Sequence, residues 1–391
     1  MVERMVQQAA VEMNIDPVEL RRRNYIPVDA FPYKTPTGSV YENADFAALT
    51  DTALKAADWI GYPARQAASA KAGKLRGRGI ATVIETTSVG AHAIDQVALE
   101  VDRDGCVTVH TVSHAQGQGH ETTVAMLVAK VLEIPAERVI VRQGLNEPAL
   151  VGNHTGGSRN TVGVGTISHL TAFKLIEQGR ARVAEQLGVE PSQITYAKGV
   201  FHCREPESAV ALHVLAGDEK FSIIGEGSFG ATFPNDCHIA EVEIDAETGL
   251  TTIVSYVTAD DFGVVVNDTI VEGQLHGAVM QGAGQVFGEV AHYDPNSGQM
   301  LTGSFMDYAM PRAGMIRDIN MNHCPTPSRV SPLGVKGMGE AGLTGALPAL
   351  THAVLDALRP LGVTHLNMPL TPAKVWAAIQ QCPNAHNKKT Q

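Results

Sequence analysis

Residues 331–356 read SPLGVKGMGEAGLTGALPALTHAVLD. Five glycines (Gly334, Gly337, Gly339, Gly342 and Gly345) crowd the approach to an apolar segment whose spacing predicts a helix over 347–358. Glycine lets backbone come close to a neighbour or adopt positive φ. A helix N-terminus then presents unpaired N–H groups and a dipole that favour anions. Glu340 stands inside this turn with no cation but Lys336 in the neighbouring sequence. A lone carboxyl enclosed by an apolar glycine turn is a general-base environment. The plainer alternative is a tight loop with Glu340 capping the helix. A G-x-G-x-x-G pattern falls on Gly337, Gly339 and Gly342, but the residues before it contain a proline and do not read as a buried strand. It is therefore no dinucleotide fingerprint, and a second match at Gly225, Gly227 and Gly230 shows how cheap the pattern is among 38 glycines.

Two more glycine turns resemble this one. Gln116, Gly117, Gln118 and Gly119 precede an amphipathic stretch through Leu132, and Thr155, Gly156, Gly157, Ser158, Arg159 and Asn160 precede a long helical pattern toward Gln186. With Lys336, Gly337, Met338 and Gly339 they make three helix N-termini, flanked by Gln118, Ser158, Arg159 and Lys336. Such a set suits a large polyanionic ligand with many acceptors. No Walker lysine pattern occurs, so a simple nucleoside triphosphate fits poorly.

The totals bound the class. A chain of 391 residues with 44% hydrophobic and 18% charged residues has a well-cored globular composition. A formal charge of −11 argues against nucleic acid as a general partner, and the basic cluster Arg21–Arg23 reads as a solvated helix face. Five widely spaced cysteines, with no C-x-x-C, fit reduced thiols. No signal-peptide pattern and no run of 18 apolar residues is seen, so export and membrane spanning are not expected.

In order, residues 1–60 read as helical segments and an ordered loop: helices through residue 24, a proline-bearing loop over 25–44, and a helix over 46–59. Residues 61–78, rich in Ala, Gly, Lys and Arg, are the expected linker. Residues 79–391 form the main domain, with a sub-boundary near 230. Strands are expected at 80–86, 95–101, 107–112 and 139–143, with Asp102-Arg103-Asp104-Gly105 as a hairpin turn. A second hairpin is expected over 239–260, followed by a helix over 268–289, a strand-and-turn region to Arg312, and a last helix over 372–381. The polar tail from Pro383 should fray. Hairpin, glycine turn and helix occur twice, and Gly117-Gln118-Gly119-His120 is echoed by Gly273-Gln274-Leu275-His276. This points to an internal duplication and an α+β fold of mixed sheets and packed helices in two similar lobes.

The motifs QGQGHETT (116–123), TGGSRNTV (155–162), EGQLHGAVMQGAGQ (272–285), TGSFMDYAMPR (302–312) and GVKGMGEAG (334–342) resemble those of the molybdenum-binding large subunit of molybdenum hydroxylases. This is the xanthine dehydrogenase, aldehyde oxidase and carbon monoxide dehydrogenase family. DPVELRRRN (16–24) and FPYKTPTG (31–38) resemble its connecting segment. The resemblance implies a molybdopterin cofactor carrying molybdenum, in bacterial members usually the cytosine dinucleotide. It implies Glu340 as general base toward a molybdenum-bound hydroxyl, hydroxylating an aldehyde or N-heterocyclic carbon with water. Gln116 to Gly119, Thr155 to Arg159, Gln274 and Lys336 to Gly339 would cradle the pterin and pyrophosphate. The metal is held by the pterin dithiolene, so no protein ligand is expected.

The chain departs from the family in extent, resembling only the second half of such a subunit. The expected partners are the N-terminal half, a 2Fe–2S subunit and an FAD subunit in a cytoplasmic hetero-oligomer, periplasmic if a partner carries an export signal. A cofactor-binding or interaction fragment, inactive without them, is the alternative. A zinc site at His110, His114 and His120 lacks standard ligand register. Asp260 and Asp261 read as strand-end turn caps before a paired-carboxylate site.

Overall fold

The N-terminal amphipathic pattern closes into α1 (Val2–Glu12) and α2 (Pro17–Arg22). Asp16 caps α2, its Oδ1 accepting from Val18 N (2.8 Å) and Glu19 N (3.0 Å), with Pro17 at the first helical position. The ordered loop that follows carries a short hairpin, β1 (Tyr33–Lys34) and β2 (Val40–Tyr41), and leads to α3 (Phe46–Ala56). The computed structural model describes residues 1–382 apart from 89, 91, 145, 146 and 218–220. The tail from Pro383 lies outside the described residues.

Residues 61–78 are not a linker. They form α4 (Tyr62–Lys71) and run directly into the strand β3 (Lys74–Ile84). The small residues that mimic a linker are there for contact with a helix. A Cβ on Gly77 would lie 2.1 Å from the carbonyl oxygen of Ala353, and one on Gly79 2.1 Å from that of Ala349. The basic residues anchor this stretch to the adjoining strand, Arg65 and Arg76 each meeting the buried Glu241 at 2.6 Å.

The first lobe runs β4 (Asp95–Val101), β5 (Val107–Thr111), α5 (His120–Leu132), β6 (Val139–Gln143) and α6 (Thr166–Leu187), the last entered through a π-type turn over Thr161–Gly165. A side sheet of β7 (Ile194–Ala197), β8 (Val200–Cys203) and β9 (Ser208–Ala211) follows, then β10 (Phe221–Gly227). The second lobe runs β11 (Asn235–Asp245), β12 (Thr251–Asp261), α7 (Asp268–Phe287), β13 (Asn320–His323) and α8 (Ala341–Leu358); α9 (Pro372–Gln380) closes the order.

The lobes share one topology. In each, an antiparallel hairpin (β4–β5, β11–β12) leads to a helix and then to a strand parallel to the second hairpin strand (β6 beside β5, β13 beside β12). The sheet orders are β10-β4-β5-β6 and β13-β12-β11-β3. The strand that leads into each hairpin therefore pairs in the other lobe's sheet, β3 with β11 and β10 with β4. The proposed sequence echo is not part of this repeat. Gly117–Gly119 precedes α5, whereas Gly273–His276 lies inside α7.

Helix α8 begins at Ala341, six positions before the expected start. Gly342 and Gly345 are consequently helical, and small because neighbours crowd them. Added Cβ atoms would lie 2.8 Å from Leu275 O and 2.3 Å from His238 Cδ2. The span Ala341–Leu361 has the length and composition of a membrane-crossing helix, a property that a search for unbroken apolar runs misses. It is 67% buried inside the protein, packed between α7 and the second sheet as a core helix.

Candidate functional site

In each lobe the two helices follow two parallel strands, so both start from the same sheet edge. Duplication brings four helix approaches together: 116–120 before α5, 155–161 before α6, 262–267 before α7 and 335–340 before α8. All four line one cleft of about 270 Å³. The three glycine turns that the sequence singled out thus converge, although Gln116 and Gly339 stand over two hundred positions apart.

Gln116, Gln118, Thr155, Gly156, Gly157, Ser158, Arg159, Gln274, Lys336, Gly337, Met338, Gly339 and Glu340 all border the cleft. Gly117 and Gly119 shape the first turn with φ of 104° and 73°, where an L side chain would be strained. The approaches to α5, α6 and α8 carry no side-chain cap, while Asn267 caps α7 by accepting from Ile270 N at 3.0 Å. Three uncapped N-termini behind glycine turns offer free N–H donors to an anionic group, and their lining fits a phosphate-bearing cofactor.

The two cations of that set border the cleft but are engaged in ion pairs inside the protein. Arg159 is 6% exposed and forks onto the buried Asp95, with Nη2 2.5 Å from Oδ2 and Nη1 3.3 Å from Oδ1. Burial pushes Asp95 up, but donors from Arg159 and Asn153 outweigh it and hold the carboxyl below its ordinary value. The Lys336 ammonium is buried against Asp261 Oδ2 (2.7 Å) and Thr326 Oγ1 (3.0 Å). Asp261 also accepts from Gly263 N and from Thr326, as a turn-capping strand end should. Both cations brace the turns through these ion pairs.

Glu340 is the N-cap residue of α8, but its side chain makes no capping bond. Its exposed carboxylate instead accepts from Ser158 Oγ at 3.0 Å, tying the second and third turns together. Nor is it a lone acid. Burial, then the Glu340 charge, pushes the Glu85 carboxyl up to about 7. Behind Glu85, Asp236 and Asp260 face each other across β11 and β12, both buried and both raised by that burial, Asp260 to about 7.

Sequence reading missed the stretch after β3. Ser88 N donates to Gly157 O (2.9 Å), Thr87 Oγ1 meets Thr232 Oγ1 (2.7 Å), and Gly337 N donates to Thr232 Oγ1 (3.1 Å). This strand extension sews two glycine turns together. Gly337 has no room for a side chain: a Cβ would lie 2.0 Å from Ser158 O. The available signal was the alternation of Glu85 and Thr87, which places both on one face of an extended chain. Of the histidines, His110 lies 3.2 Å from Glu100 and His120 contacts Asn160, and no group of three potential metal ligands occurs among the described residues.

Comparison with known proteins agrees with this geometry. The family model described as molybdopterin cofactor-binding domain matches residues 52–317. The large subunit of nicotine 6-hydroxylase from Paenarthrobacter nicotinovorans is 34% identical over 97% of this chain and 49% of its own length. The carbon monoxide dehydrogenase large chain of Hydrogenophaga pseudoflava is 31% identical over 97% of this chain and 50% of its own length. The structure of reconstituted CO dehydrogenase from Oligotropha carboxidovorans superposes with a TM-score of 0.87 at 26% identity, over 97% of this chain and 51% of that one. The chain spans about half the length of the relatives it matches.

Proposed function

The chain belongs to the molybdopterin cofactor-binding domain family, and we propose that it supplies the second half of a molybdenum hydroxylase active site, with Glu340 as its general base. The single observation that carries this reading is the convergence of three uncapped, glycine-led helix N-termini on one cleft with Glu340 at its edge. In this reading the N–H groups of 117–120, 157–161 and 338–340 receive phosphate and pterin oxygens, and the Gln118 and Gln274 amides add donors. The form favoured is the cytosine dinucleotide, which the resemblance to bacterial members of the family implies. The bound cofactor would supply the redox-active metal centre at which an aldehyde or N-heterocyclic carbon is hydroxylated with water.

The residues of this chain do the rest. Ser158 Oγ orients the Glu340 carboxylate, which accepts a proton from the attacking hydroxyl and returns it to solvent through its exposed side. Arg159 and Lys336 hold the turns rigid. Because the chain spans half of its relatives, the cradle is completed by an N-terminal half, and electrons leave through 2Fe–2S and FAD subunits in a cytoplasmic hetero-oligomer. The test is co-expression with that half. Glu340→Gln in the assembled enzyme should keep molybdenum near one per complex and abolish turnover. Undiminished turnover removes Glu340 from the base role. An assembled complex that carries the cofactor but shows no turnover favours the second reading, a cofactor-binding or interaction fragment with no activity of its own.

A further inference from the structure

Helix α1 is fastened to the protein by its polar side. Glu3 Oε2 accepts from Arg21 Nη2 (2.6 Å) and Nε (3.1 Å), Gln7 Oε1 accepts from Arg21 Nη1 (3.2 Å), and Arg4 Nη2 donates to Leu366 O (3.1 Å). Arg21 is buried and also donates to Ile80 O of β3 at 3.2 Å, so α1 is tied to the second sheet. Of the helix itself only Ala10 is buried. The apolar residues lie on the side turned away: Val2, Met5 and Met13 are 74%, 66% and 60% exposed, with Ala9 between them on the helix surface. A surface helix ordinarily does the reverse, placing its apolar stripe on the core and its charges in water. The stripe adjoins a groove of about 640 Å³ between α1 and residues 363–368, lined by Met1, Met5, Leu355, Val363 and Met368. Apolar surface thus continues from the helix onto the body, as at a protein–protein contact.

We propose that this outward stripe of α1, with the groove beside it, seats the N-terminal half that completes the cofactor site. This rests on the reading above that such a half is the partner. The relatives identify the occupant. The large subunit of nicotine 6-hydroxylase and the carbon monoxide dehydrogenase large chain match 97% of this chain with only 49% and 50% of their own length. A comparable length of polypeptide in each is left over. The motifs of this chain resemble the second half of such a subunit, so the remaining polypeptide meets it on the α1 side. A membrane surface fits the stripe less well, since it calls for lysines and arginines along the flanks. Here Gln8 and Glu12 stand there, hydrogen-bonded to each other at 2.8 Å, and Arg4 is spent on the body.

The test uses the full chain co-expressed with that half. Backbone amides over 5–13 should exchange with deuterium at least about tenfold more slowly in the complex than in the chain alone. Met5→Glu/Met13→Glu should raise the dissociation constant at least about tenfold, because each carboxylate would be buried without a partner. The melting temperature of the lone chain should stay within a degree of wild type, both sites being exposed. A matching fall in that temperature marks a structural role and overturns the proposal; the exchange measurement on the wild type needs no variant. Unchanged exchange over α1, or pairing undiminished by the variant, also overturns the seat and leaves the cofactor reading standing. Protection of α1 by a second copy or by phosphatidylglycerol vesicles, with none from the half, overturns it as well. A wild type that pairs through α1 yet takes up no molybdenum refutes the cofactor reading instead, and one that does not pair at all removes both.

Discussion

Replacing Arg159 by methionine separates a latch from a ligand. Asp95 is 5% exposed; its Oδ1 keeps Asn153 N (2.7 Å) and Nδ2 (3.1 Å), while Oδ2 receives Arg159 Nη2 at 2.5 Å. Arg159→Met retains the aliphatic bulk but leaves a buried carboxylate without its counter-charge, a loss of about 3–5 kcal/mol. An unfolding entropy of about 2.1 cal/mol/K per residue over 391 residues gives about 0.8 kcal/mol/K. The melting temperature should therefore drop by about 4–6 °C in calorimetry at neutral pH. Asp95→Asn/Arg159→Met should recover part of that drop, because the amide needs no counter-charge. The wild-type pair also carries a pH sign. Asp95 is held below its ordinary value, so its contribution is present above the unfolded carboxyl pKa near 4 and disappears as pH falls through the lower folded value. A variant that melts within a degree of wild type, losing only cofactor affinity, would refute the latch and restore Arg159 as a direct anion ligand.

Three further outcomes follow from the same geometry. Lys336→Met strips the buried Asp261 of its ammonium and should destabilise by a similar 3–5 kcal/mol in urea denaturation, with no loss expected if the lysine faces a ligand instead. Gly337→Ala places a methyl 2.0 Å from Ser158 O, forcing the second and third turns apart. It should cost about 1–3 kcal/mol and reduce molybdenum content in the assembled enzyme, and normal loading would show that the turns need not touch. Glu85 and Asp260, raised to about 7, give stability that is full below the unfolded carboxyl pKa and lost as pH rises through 7. Denaturation midpoints should fall from about pH 5 to 8.5 and the fall should lessen in Asp236→Asn; a rising midpoint contradicts this.

Local signals in the sequence were reliable where the physics is local. The alternation of Asp95–Val101 and Val139–Gln143 gave both strands at their observed ends, and the glycine turns gave the cleft, because positive φ and free helix N–H groups are written in short motifs. What failed depends on partners far along the chain. Arg159 finds Asp95 64 positions away and Lys336 finds Asp261 75 away, so their sequence neighbours suggested free cations. The linker reading of 61–78 took Gly77 and Gly79 for flexibility when α8 packs against them. Glu85 was invisible for the same reason, since only the fold brings it to Glu340. The lobe repeat was readable as an order of elements, but the exchange of β3 and β10 between sheets was not.

The most direct measurement is a structure of the assembled enzyme with its cofactor bound. The account requires pterin and phosphate oxygens within hydrogen-bonding distance of backbone N–H groups at 117–120, 157–161 and 338–340, with Glu340 facing the reactive metal. A cofactor seated elsewhere, or contacted chiefly by the Arg159 and Lys336 side chains, would contradict it.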